Sequence, residues 1–369
     1  MNIFYLIDNF LLTIIHIQSK INDMKRGMKM KVVVIQEDIM QPDLTEEEIT
    51  KRWMALKEIK EVDELEIYKP SGYPTIQQLD EMIGDADAAL GVWVSPDTMS
   101  RDFLDRHPHL RYVATLGHGW REFDEEMTRE KGITITNTIY GAQTIAEYAW
   151  ALLMEVCHHM DIHNQHIKTT DWSNPNNTHL YDMALTPQIE LYGLTCGVIG
   201  LGSIGYAFAK MAQGFGMKVI SYDPYPKSGD QYDFVEQVSL DELLSRSDVI
   251  SLHVPLSHHS AHMIDKKAIN KMKDGVIIIN TARGGLIVEE DLIEALKSKK
   301  IYAAGLDVLT EEPATKDNPL FHLDNTIITG HIAWLTKASR LRACDIAIEN
   351  FKAYLQGHPK SVINAKKGL

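Results

Sequence analysis

Three kinds of side chain able to bind an anion or move a proton follow strand-like segments in the second half of the chain. Arg283 comes after the apolar run GVIIIN, Glu311 and Glu312 come after AAGLDV, and His331 comes after NTIIT. A guanidinium grips a carboxylate through two parallel hydrogen bonds and polarises a neighbouring carbonyl. An imidazole, with an unperturbed pKa of about 6.5, donates a proton to a carbonyl oxygen and takes it back in the reverse direction. These groups suit hydride transfer to and from a carbonyl that lies beside a carboxylate.

A carboxylate on the other nitrogen of the His331 ring would orient the ring, raise its pKa and keep it protonated. Glu312 is the predicted partner, although spacing alone also allows Glu311. Each residue also has an ordinary interpretation: Arg283 could lie in a surface turn, Glu312 in a solvated loop and His331 in a core. Because all three follow strands of one series, their convergence favours the functional interpretation.

A glycine-rich turn could hold the cofactor that hydride transfer needs. Residues 197–205 read GVIGLGSIG, with a strand-like segment before the turn and a helix predicted to end near Gln213. The first glycine allows a tight bend, the second lets the backbone approach a pyrophosphate, and the third lets helix pack on strand. Unpaired amides at the helix N-terminus would then meet the phosphates. The predicted contacts are Gly200, Gly202, Ser203, Ile204 and Gly205.

An acid, Asp223, ends the next strand-like segment, KVISY. Its carboxylate is placed to accept hydrogen bonds from both hydroxyls of an adenine ribose, and its charge would repel a 2′-phosphate. The two patterns together predict a dinucleotide-binding domain that prefers NAD to NADP.

The elements that position these residues alternate between strand and helix in two series. Five strand-like runs precede residue 140: KVVVIQ, LEIYK, ADAALGV, RYVATLG and GITIT. The first helix of this series opens with a capping box formed by Thr45 and Glu48. Six more strands run from Thr195 to about residue 329, so the fold class is α/β with doubly wound parallel sheets.

Residues 143–160 predict an apolar helix long enough to link two domains or to pack on a second subunit. A polar loop or arm is predicted over residues 169–179. A last helix, at about 336–356, is expected to return to the N-terminal domain.

Composition narrows the classes of partner. The 369 residues are 44% apolar, which suits two globular domains. A formal charge of −14 without a concentrated basic face argues against nucleic acid as the main partner. The three cysteines are widely separated, which predicts reduced packing thiols in a cytoplasmic protein.

The segment before the first strand, residues 1–29, is predicted to be an extension outside the fold, with Met28 or Met30 as a plausible true start. Its apolar stretch is too short and too polar to span a bilayer, so no membrane partner is expected. A helix that lies on a membrane surface or binds a partner is the less favoured interpretation. Two histidine groups lack the second motif of a strong metal site, so no metal is predicted. They are His159, His163 and His166, expected on an exposed helix face, and His258, His259 and His262, expected on a loop.

The chain resembles the D-isomer-specific 2-hydroxyacid dehydrogenases from about residue 31 to 365. The resemblance rests on GVIGLGSIG, SLHVPL, MKDGVIIINTARGGLIVEEDLIEAL, GLDVLTEEP and TGHIAW. It implies that Arg283, Glu312 and His331 are catalytic, which by analogy selects Glu312 over Glu311. It also implies hydride transfer between NAD(H) and a small 2-oxo acid and D-2-hydroxy acid pair.

The same resemblance implies a Rossmann NAD-binding domain, residues 139–334, inserted into a flavodoxin-like substrate-binding domain, residues 30–138 and 335–369. The active cleft would lie between them, and a homodimer would form through the 143–160 helix. Further cofactor contacts implied are His253, Val254 and Pro255 on the adenosine side, and Thr281, Ala282, Arg283, Asp307 and His331 toward the nicotinamide, where Asp307 and the Ala282 backbone hold the carboxamide. The implied contacts with the substrate carboxylate are Arg283 and backbone amides of the segments WVSP and LGHG, at Val94, Ser95, Gly117 and His118.

Within the family, IELYGLTCGVIG and HIAWLTKASR look most like the glycerate dehydrogenase or hydroxypyruvate reductase branch. Three tryptophans could border the pocket and favour another 2-oxo acid: Trp93, Trp120 and Trp334. One alternative is therefore a reductase of a bulkier or phosphorylated acid, of the D-lactate, 2-oxoisocaproate or 3-phosphoglycerate type. Another is an NADH-sensing interaction protein without catalysis.

Overall fold

The computed structural model describes residues 29–36, 43–177 and 184–366. These residues divide into two compact units, one within Met1–Tyr140 and Lys337–Leu369 and the other within Gly141–Thr336. Residues 1–28 of the predicted extension and residues 178–179 of the predicted loop lie outside the described ranges. None of the helices described has the length and apolar character needed to cross a membrane.

The first unit contains a five-stranded parallel sheet with the strand order β2-β1-β3-β4-β5. This is the flavodoxin-like order, so the predicted fold class is confirmed for this unit. The first strand reads MKVVVI and is almost wholly buried, as expected for a strand of a parallel sheet covered on both faces. The strands are β1 (Met30–Ile35), β2 (Val62–Tyr68), β3 (Ala88–Leu90), β4 (Tyr112–Ala114) and β5 (Thr134–Thr136).

In the part of the chain that the structure describes, four α-helices connect these strands: α1 (Glu46–Trp53), α2 (Ile76–Ile83), α3 (Arg101–Arg106) and α4 (Glu125–Glu130). The capping box predicted for α1 is confirmed, because the Thr45 hydroxyl accepts from the Glu48 amide at 3.3 Å and the Glu48 carboxylate accepts from the Thr45 amide at 3.0 Å. Local sequence therefore sets the start of this helix.

The second unit contains a seven-stranded parallel sheet with the order β12-β11-β10-β9-β6-β7-β8. Strand order reverses at β6, which pairs with both β7 and β9, and this reversal marks the expected ligand edge of a Rossmann sheet. The strands are β6 (Thr195–Ile199), β7 (Lys218–Tyr222), β8 (Val235–Gln237), β9 (Val249–Leu252), β10 (Val276–Asn280), β11 (Ile301–Leu306) and β12 (Thr326–Ile328).

The prediction of six strands in this series was wrong, because β8 adds a seventh at the sheet edge. It has three residues, VEQ, of which Val235 alone is buried. A strand this short and exposed carries no period of alternating residues that sequence could reveal.

Among the described residues, the second unit has six α-helices: α5 (Ala142–His158), α6 (Met160–Thr169), α7 (Ser203–Gly214), α8 (Leu240–Arg246), α9 (Lys266–Lys271) and α10 (Glu289–Lys297). The last helix, α11 (Lys337–Leu355), belongs to the first unit. There its side chains Cys344, Ala347 and Phe351 pack in one core with Val32 and Tyr112.

The helix predicted over residues 143–160 is α5, which ends at His158, and a second helix, α6, follows it. His159 adopts the left-handed conformation, with φ 45°, and breaks the helical ladder between α5 and α6. The expectation of three histidines on one exposed face was also wrong. His159 is 8% exposed, and His163 and His166 are partly buried on the second helix.

The apolar face of α5 is used inside its own unit. Its side chains Leu153 and Val156 are fully buried in one cluster with Val198, Phe208 and Ile279. The helix is apolar because it covers the sheet, so this face does not by itself indicate a second subunit.

Candidate active site

The glycine turn after β6 has the shape that a pyrophosphate requires. Gly200 has φ +93°, and a Cβ there would lie 2.8 Å from the carbonyl oxygen of His253. A Cβ at Gly205 would lie 1.9 Å from the Gly200 oxygen, so helix and strand pack too closely for a side chain. By contrast, a Cβ at Gly202 would meet nothing within 4 Å. Open space therefore adjoins the first turn of α7, where Ser203 and Ile204 lie among amides that lack helical partners.

Asp223 follows β7 and is tied to this turn. One carboxylate oxygen accepts from the Leu201 amide at 2.8 Å, and the other accepts from the Tyr225 amide at 2.8 Å. The Lys227 ammonium lies 3.8 Å from the first oxygen. A carboxylate offers about four lone-pair sites, so two amides leave capacity for ribose hydroxyls. The contact of Lys227 with Asp223 was not predicted, because nothing in the sequence around Lys227 indicates it.

Replacing Asp223 with alanine should shift the ratio of kcat/KM for NADH over NADPH by about tenfold or more toward NADPH. The change removes the charge that repels a 2′-phosphate and leaves the Lys227 ammonium beside the vacated position. Steady-state rates with both cofactors measure the ratio. Asp230→Ala, which removes an equal charge from an exposed position, is the matched control. An unchanged ratio in Asp223→Ala would show that Asp223 does not read the ribose.

The predicted adenosine-side residues follow β9 and contact the glycine turn. The backbone amide of His253 donates to the Ile199 carbonyl at 2.8 Å, and the ring Nε2 of His253 lies 2.9 Å from the Ser251 hydroxyl. Burial lowers the pKa of His253 to about 3, so the ring is neutral and cannot serve as a proton donor at neutral pH. A Val254 methyl lies against Gly200, and the Pro255 carbonyl accepts from the Ser260 hydroxyl at 2.6 Å.

Arg283 lies in a turn that Asn280 shapes from the end of β10. The Asn280 side chain accepts from the Ala282 amide at 3.0 Å and donates to the Arg283 carbonyl at 2.9 Å. The Arg283 guanidinium donates to the Ala282 carbonyl at 2.6 Å, and the family resemblance implies that the Ala282 backbone helps to hold the carboxamide. Burial lowers the pKa of Arg283, although a guanidinium in a protein stays protonated. Asn280 is 1% exposed. Its role was not predicted, although a polar residue at the end of so apolar a strand is a signal from which the sequence could have indicated it.

Gly284 brings the arginine turn against the segment that carries Glu312. A Cβ at Gly284 would lie 2.0 Å from the Leu309 carbonyl carbon, so only glycine fits there. Arg283 and Glu312 are close enough for the guanidinium to lower the pKa of Glu312 through its charge.

Glu312 and His331 form a hydrogen-bonded pair in the site. The His331 Nδ1 lies 2.7 Å from the Glu312 Oε2, while the other Glu312 oxygen accepts from the Leu309 amide at 3.0 Å. Burial opposes the charged form of Glu312, but the bond to His331, the Leu309 amide and the charge of Arg283 together lower its pKa. The structure thus places Glu312, rather than Glu311, on the imidazole.

Replacing Glu312 with glutamine should lower kcat for reduction by about tenfold to a hundredfold, and the loss should extend over neutral and mildly acid pH. The lowered pKa of Glu312 keeps the carboxylate charged until the pH falls below the ordinary value for glutamate, about 4.3. The wild-type pair therefore persists at neutral and mildly acid pH, whereas glutamine carries no charge to hold the ring proton. A kcat–pH profile measures both effects. Glu311→Gln is the control, and equal profiles for the two variants would remove Glu312 from the mechanism.

Of two further predicted residues, Asp307 contacts His331 and Thr281 directly follows β10. Asp307 is 1% exposed and its backbone oxygen accepts from the His331 amide at 2.7 Å. His331 itself has φ 58°, a left-handed conformation that costs about 1–2 kcal/mol for a residue other than glycine. The Thr281 hydroxyl is buried and has no hydrogen-bond partner among the residues described. An orphaned hydroxyl at this edge fits a site that a polar cofactor group completes.

The predicted substrate residues of the first unit follow β3 and β4. Val94 is fully buried, and its carbonyl accepts from the Arg121 amide at 3.1 Å. The Ser95 amide, predicted to meet a substrate carboxylate, donates to the Thr98 hydroxyl at 3.0 Å. That amide is therefore already engaged within its own loop, a contact that the spacing of the segment did not reveal.

The segment after β4 is also held internally. The Gly117 carbonyl accepts from the Thr138 amide at 3.3 Å, and the His118 carbonyl accepts from the Asn137 side chain at 3.0 Å. The His118 ring meets Tyr140 edge-on at 5.1 Å between centroids. These contacts use the carbonyls of both residues, and the substrate roles of Gly117 and His118 remain predictions. Across the described ranges, no group of three or more histidine, cysteine or acidic side chains is arranged to hold a metal ion.

The chain is similar to known proteins in both sequence and structure. Residues 150–333 match the family model described as the D-isomer specific 2-hydroxyacid dehydrogenase, NAD binding domain. A hydroxypyruvate reductase of Blautia hydrogenotrophica is 42% identical over 309 residues, covering 84% of this chain and 94% of that protein. A glyoxylate reductase of Korarchaeum cryptofilum is 33% identical, covering 84% of this chain and 92% of that protein. The structure of D-lactate dehydrogenase from Aquifex aeolicus with NAD and lactic acid has a TM-score of 0.71 at 28% identity, covering 91% of this chain and 100% of that one.

Proposed function

Because the chain belongs to the D-isomer specific 2-hydroxyacid dehydrogenase family, we propose that it reduces hydroxypyruvate or glyoxylate with NADH. The family makes it an NAD-dependent oxidoreductase. One observation carries the choice of catalytic residues: the His331 Nδ1 lies 2.7 Å from Glu312, in the unit that also holds Arg283 and the glycine turn.

The residues present fit the cofactor. The space beside Gly202 and the first turn of α7 would hold the pyrophosphate, and Asp223 would hold the adenine ribose. The Thr281 hydroxyl would find its missing partner on the nicotinamide side. When bound, reduced NAD supplies the hydride that the carbonyl carbon of the substrate accepts.

Arg283 binds the substrate carboxylate and polarises the carbonyl, because its planar fork matches two carboxylate oxygens. Glu312 engages Nδ1 of His331, which directs proton transfer to Nε2. The protonated ring donates from Nε2 to the carbonyl oxygen as negative charge develops there, and the Glu312 carboxylate stabilises the ring before the proton leaves. In the oxidative direction the neutral ring takes the proton back.

The relatives support a small substrate. The two similar reductases are named for hydroxypyruvate and glyoxylate, and one of them is 42% identical over most of this chain. The alternatives, a bulkier or phosphorylated acid or a role in NADH sensing alone, are less favoured.

Rates of NADH oxidation test the substrate class. The panel is hydroxypyruvate, glyoxylate, pyruvate, 2-oxoisocaproate and phenylpyruvate, each with NADPH in parallel. We expect kcat/KM for hydroxypyruvate or glyoxylate to exceed the others by about tenfold or more, since a fitted pocket discriminates by roughly 1–3 kcal/mol per group. A preference for phenylpyruvate would contradict the proposal. Tight NADH binding without turnover of any acid would favour the NADH-sensing alternative.

We further propose a homodimer that acts in the cytoplasm. Exposed apolar side chains cluster in sequence just after α5, where Met160 is 60%, Ile162 41% and Trp172 46% exposed. The three cysteines are free and buried, which suits a reducing compartment. Light scattering should give a mass about twice the 41.8 kDa of the chain, and a monomeric mass at micromolar concentration would contradict the dimer.

A further inference from the structure

The segment that carries Glu312 leaves the sheet after β11 and runs to the short helix Pro319–His322. Within it, one Glu312 oxygen accepts from the Leu309 amide at 3.0 Å. A bond between neighbouring residues shapes the segment but does not fix it to the rest of the unit. The position of Glu312, and with it the contact with His331, therefore also depends on what holds residues 309–318.

Glu289, the first residue of α10, holds this segment at two places. Its Oε1 accepts from the Asn318 side-chain nitrogen at 2.7 Å, and its Oε2 accepts from the Thr310 amide at 3.3 Å. Thr310 lies two residues before Glu312, and Asn318 lies six residues after it. One half-buried carboxylate thus binds the segment on both sides of Glu312, and bonds to an ionised acceptor are the strong ones. We call Glu289, Thr310 and Asn318 the Glu289 cluster.

The direction of each bond in the Glu289 cluster is fixed. An ionised carboxylate only accepts hydrogen bonds, so the Asn318 side chain must donate to Glu289. Its oxygen accepts from the Leu320 amide at 2.9 Å, and the residue is 9% exposed. At the other end, a Cβ at Gly284 would lie 2.3 Å from the Thr310 nitrogen. The turn that carries Arg283 therefore lies directly against this part of the segment.

We propose that Glu289 is a positioning residue for the proton transfer, which holds Glu312 where its carboxylate engages His331. The inference rests on the proposed roles of Glu312 and His331. Glu289 acts through the segment that it binds, and Glu312 remains the residue on the imidazole.

Glu289→Gln tests the carboxylate with little change of shape. Glutamine offers one oxygen and one NH₂ group, so it accepts from Thr310 or from Asn318 but not from both. We expect kcat at saturating NADH and hydroxypyruvate to fall by about tenfold. The Kd for NADH, measured by fluorescence, should change less than about threefold. Hydrogen exchange of peptides covering residues 307–318, without cofactor, should become about tenfold faster.

Glu290→Gln is the matched control. Glu289, Glu290 and Asp291 all lie in the first turn of α10, where acids are common because they complement the helix dipole. Glu290 is exposed, so its replacement removes an equal charge from the same turn. Its kcat, Kd for NADH and exchange rates should stay within about twofold of the wild-type values.

A second substitution, Asn318→Asp, should restore the Glu289 cluster with one bond reversed. When it is combined with Glu289→Gln, the glutamine oxygen accepts from the Thr310 amide and its NH₂ group donates to the new carboxylate. The other oxygen of that carboxylate replaces the acceptor for the Leu320 amide. We expect kcat of the double variant to return to within about threefold of the wild type. Asn318→Asp alone sets two carboxylates against each other and should lower kcat by about tenfold.

A double-mutant cycle distinguishes positioning from a general loss of stability. Because Glu289 is proposed to act through Glu312, Glu289→Gln should lower kcat by less than about twofold when it is added to Glu312→Gln. A general structural defect would lower kcat by the same factor in both backgrounds.

Three results would overturn the inference. The first is kcat in Glu289→Gln within about twofold of the wild type while kcat of Glu312→Gln is reduced. The second is an equal fall in kcat on adding Glu289→Gln to the wild type and to Glu312→Gln. The third is a double variant of Glu289→Gln and Asn318→Asp whose kcat is as low as that of Glu289→Gln. The proposed function fails separately, through normal turnover in a variant that lacks the His331 imidazole.

Discussion

Replacing His331 with asparagine should lower kcat for reduction of hydroxypyruvate by about a hundredfold or more, the usual contribution of a positioned general acid. Asparagine removes the imidazole but tolerates the left-handed conformation, with φ 58°, that this position requires. The loss should therefore come from chemistry rather than from folding. Steady-state rates at saturating NADH and substrate measure it.

Binding of NADH is the internal control for this variant, since the phosphate and ribose contacts lie at the glycine turn and Asp223. The Kd for NADH should change less than about threefold. His322→Asn replaces an exposed histidine of the same unit and should turn over at the wild-type rate. If His331→Asn kept near-normal kcat, histidine would have no part in the proton transfer.

Replacing Arg283 with alanine should lower kcat/KM for the 2-oxo acid by about a thousandfold. Truncating one partner of a buried, hydrogen-bonded charge pair costs about 2–5 kcal/mol, and the guanidinium is held in a largely buried turn by Asn280 and the Ala282 carbonyl. Both substrate binding and carbonyl polarisation depend on it, so KM should rise and kcat should fall. Initial rates over a wide range of hydroxypyruvate concentration separate the two.

Two further variants test whether the loss in Arg283→Ala comes from the guanidinium at this position. Arg283→Lys keeps a charge without the planar fork, so it should recover only part of the lost kcat/KM. Arg246→Ala removes a surface arginine whose partner is Glu236, and its rate should match the wild type. A loss of less than about tenfold in Arg283→Ala would show that another group binds the carboxylate.

Much of the second unit could be predicted because its determinants are local. The spacing of Gly200, Gly202 and Gly205 encodes a turn whose backbone leaves no room for side chains at the first and third glycines. In the first unit, the Thr45 capping box marks a helix start for the same reason. Residues that follow neighbouring parallel strands share one sheet edge, so Arg283 and His331 could be placed together from sequence.

What sequence did not reveal depends on contacts between distant segments. α5 ends at His158 because His159 is left-handed. The apolar periodicity of the helix does not mark that position, so the predicted helix runs on to residue 160. The bond between the Ser95 amide and Thr98 is invisible in the spacing of WVSP. Asp307 carries the same lesson, because only the folded turn shows its carboxylate surrounded by amides and a hydroxyl of residues 329–333.

The most direct test of the proposed function is to trace hydride transfer with deuterium in a single-turnover assay of the wild-type protein. Hydroxypyruvate is reduced with NADH that carries deuterium at C4 of the nicotinamide, and the glycerate is resolved by chiral chromatography and analysed by mass spectrometry. The proposed function predicts D-glycerate with deuterium at C2. Two samples of NADH, with deuterium on opposite faces of nicotinamide C4, are used in separate reactions, and one of them should give the labelled product. Glycerate without deuterium in both reactions, or deuterated L-glycerate, would contradict the proposed function.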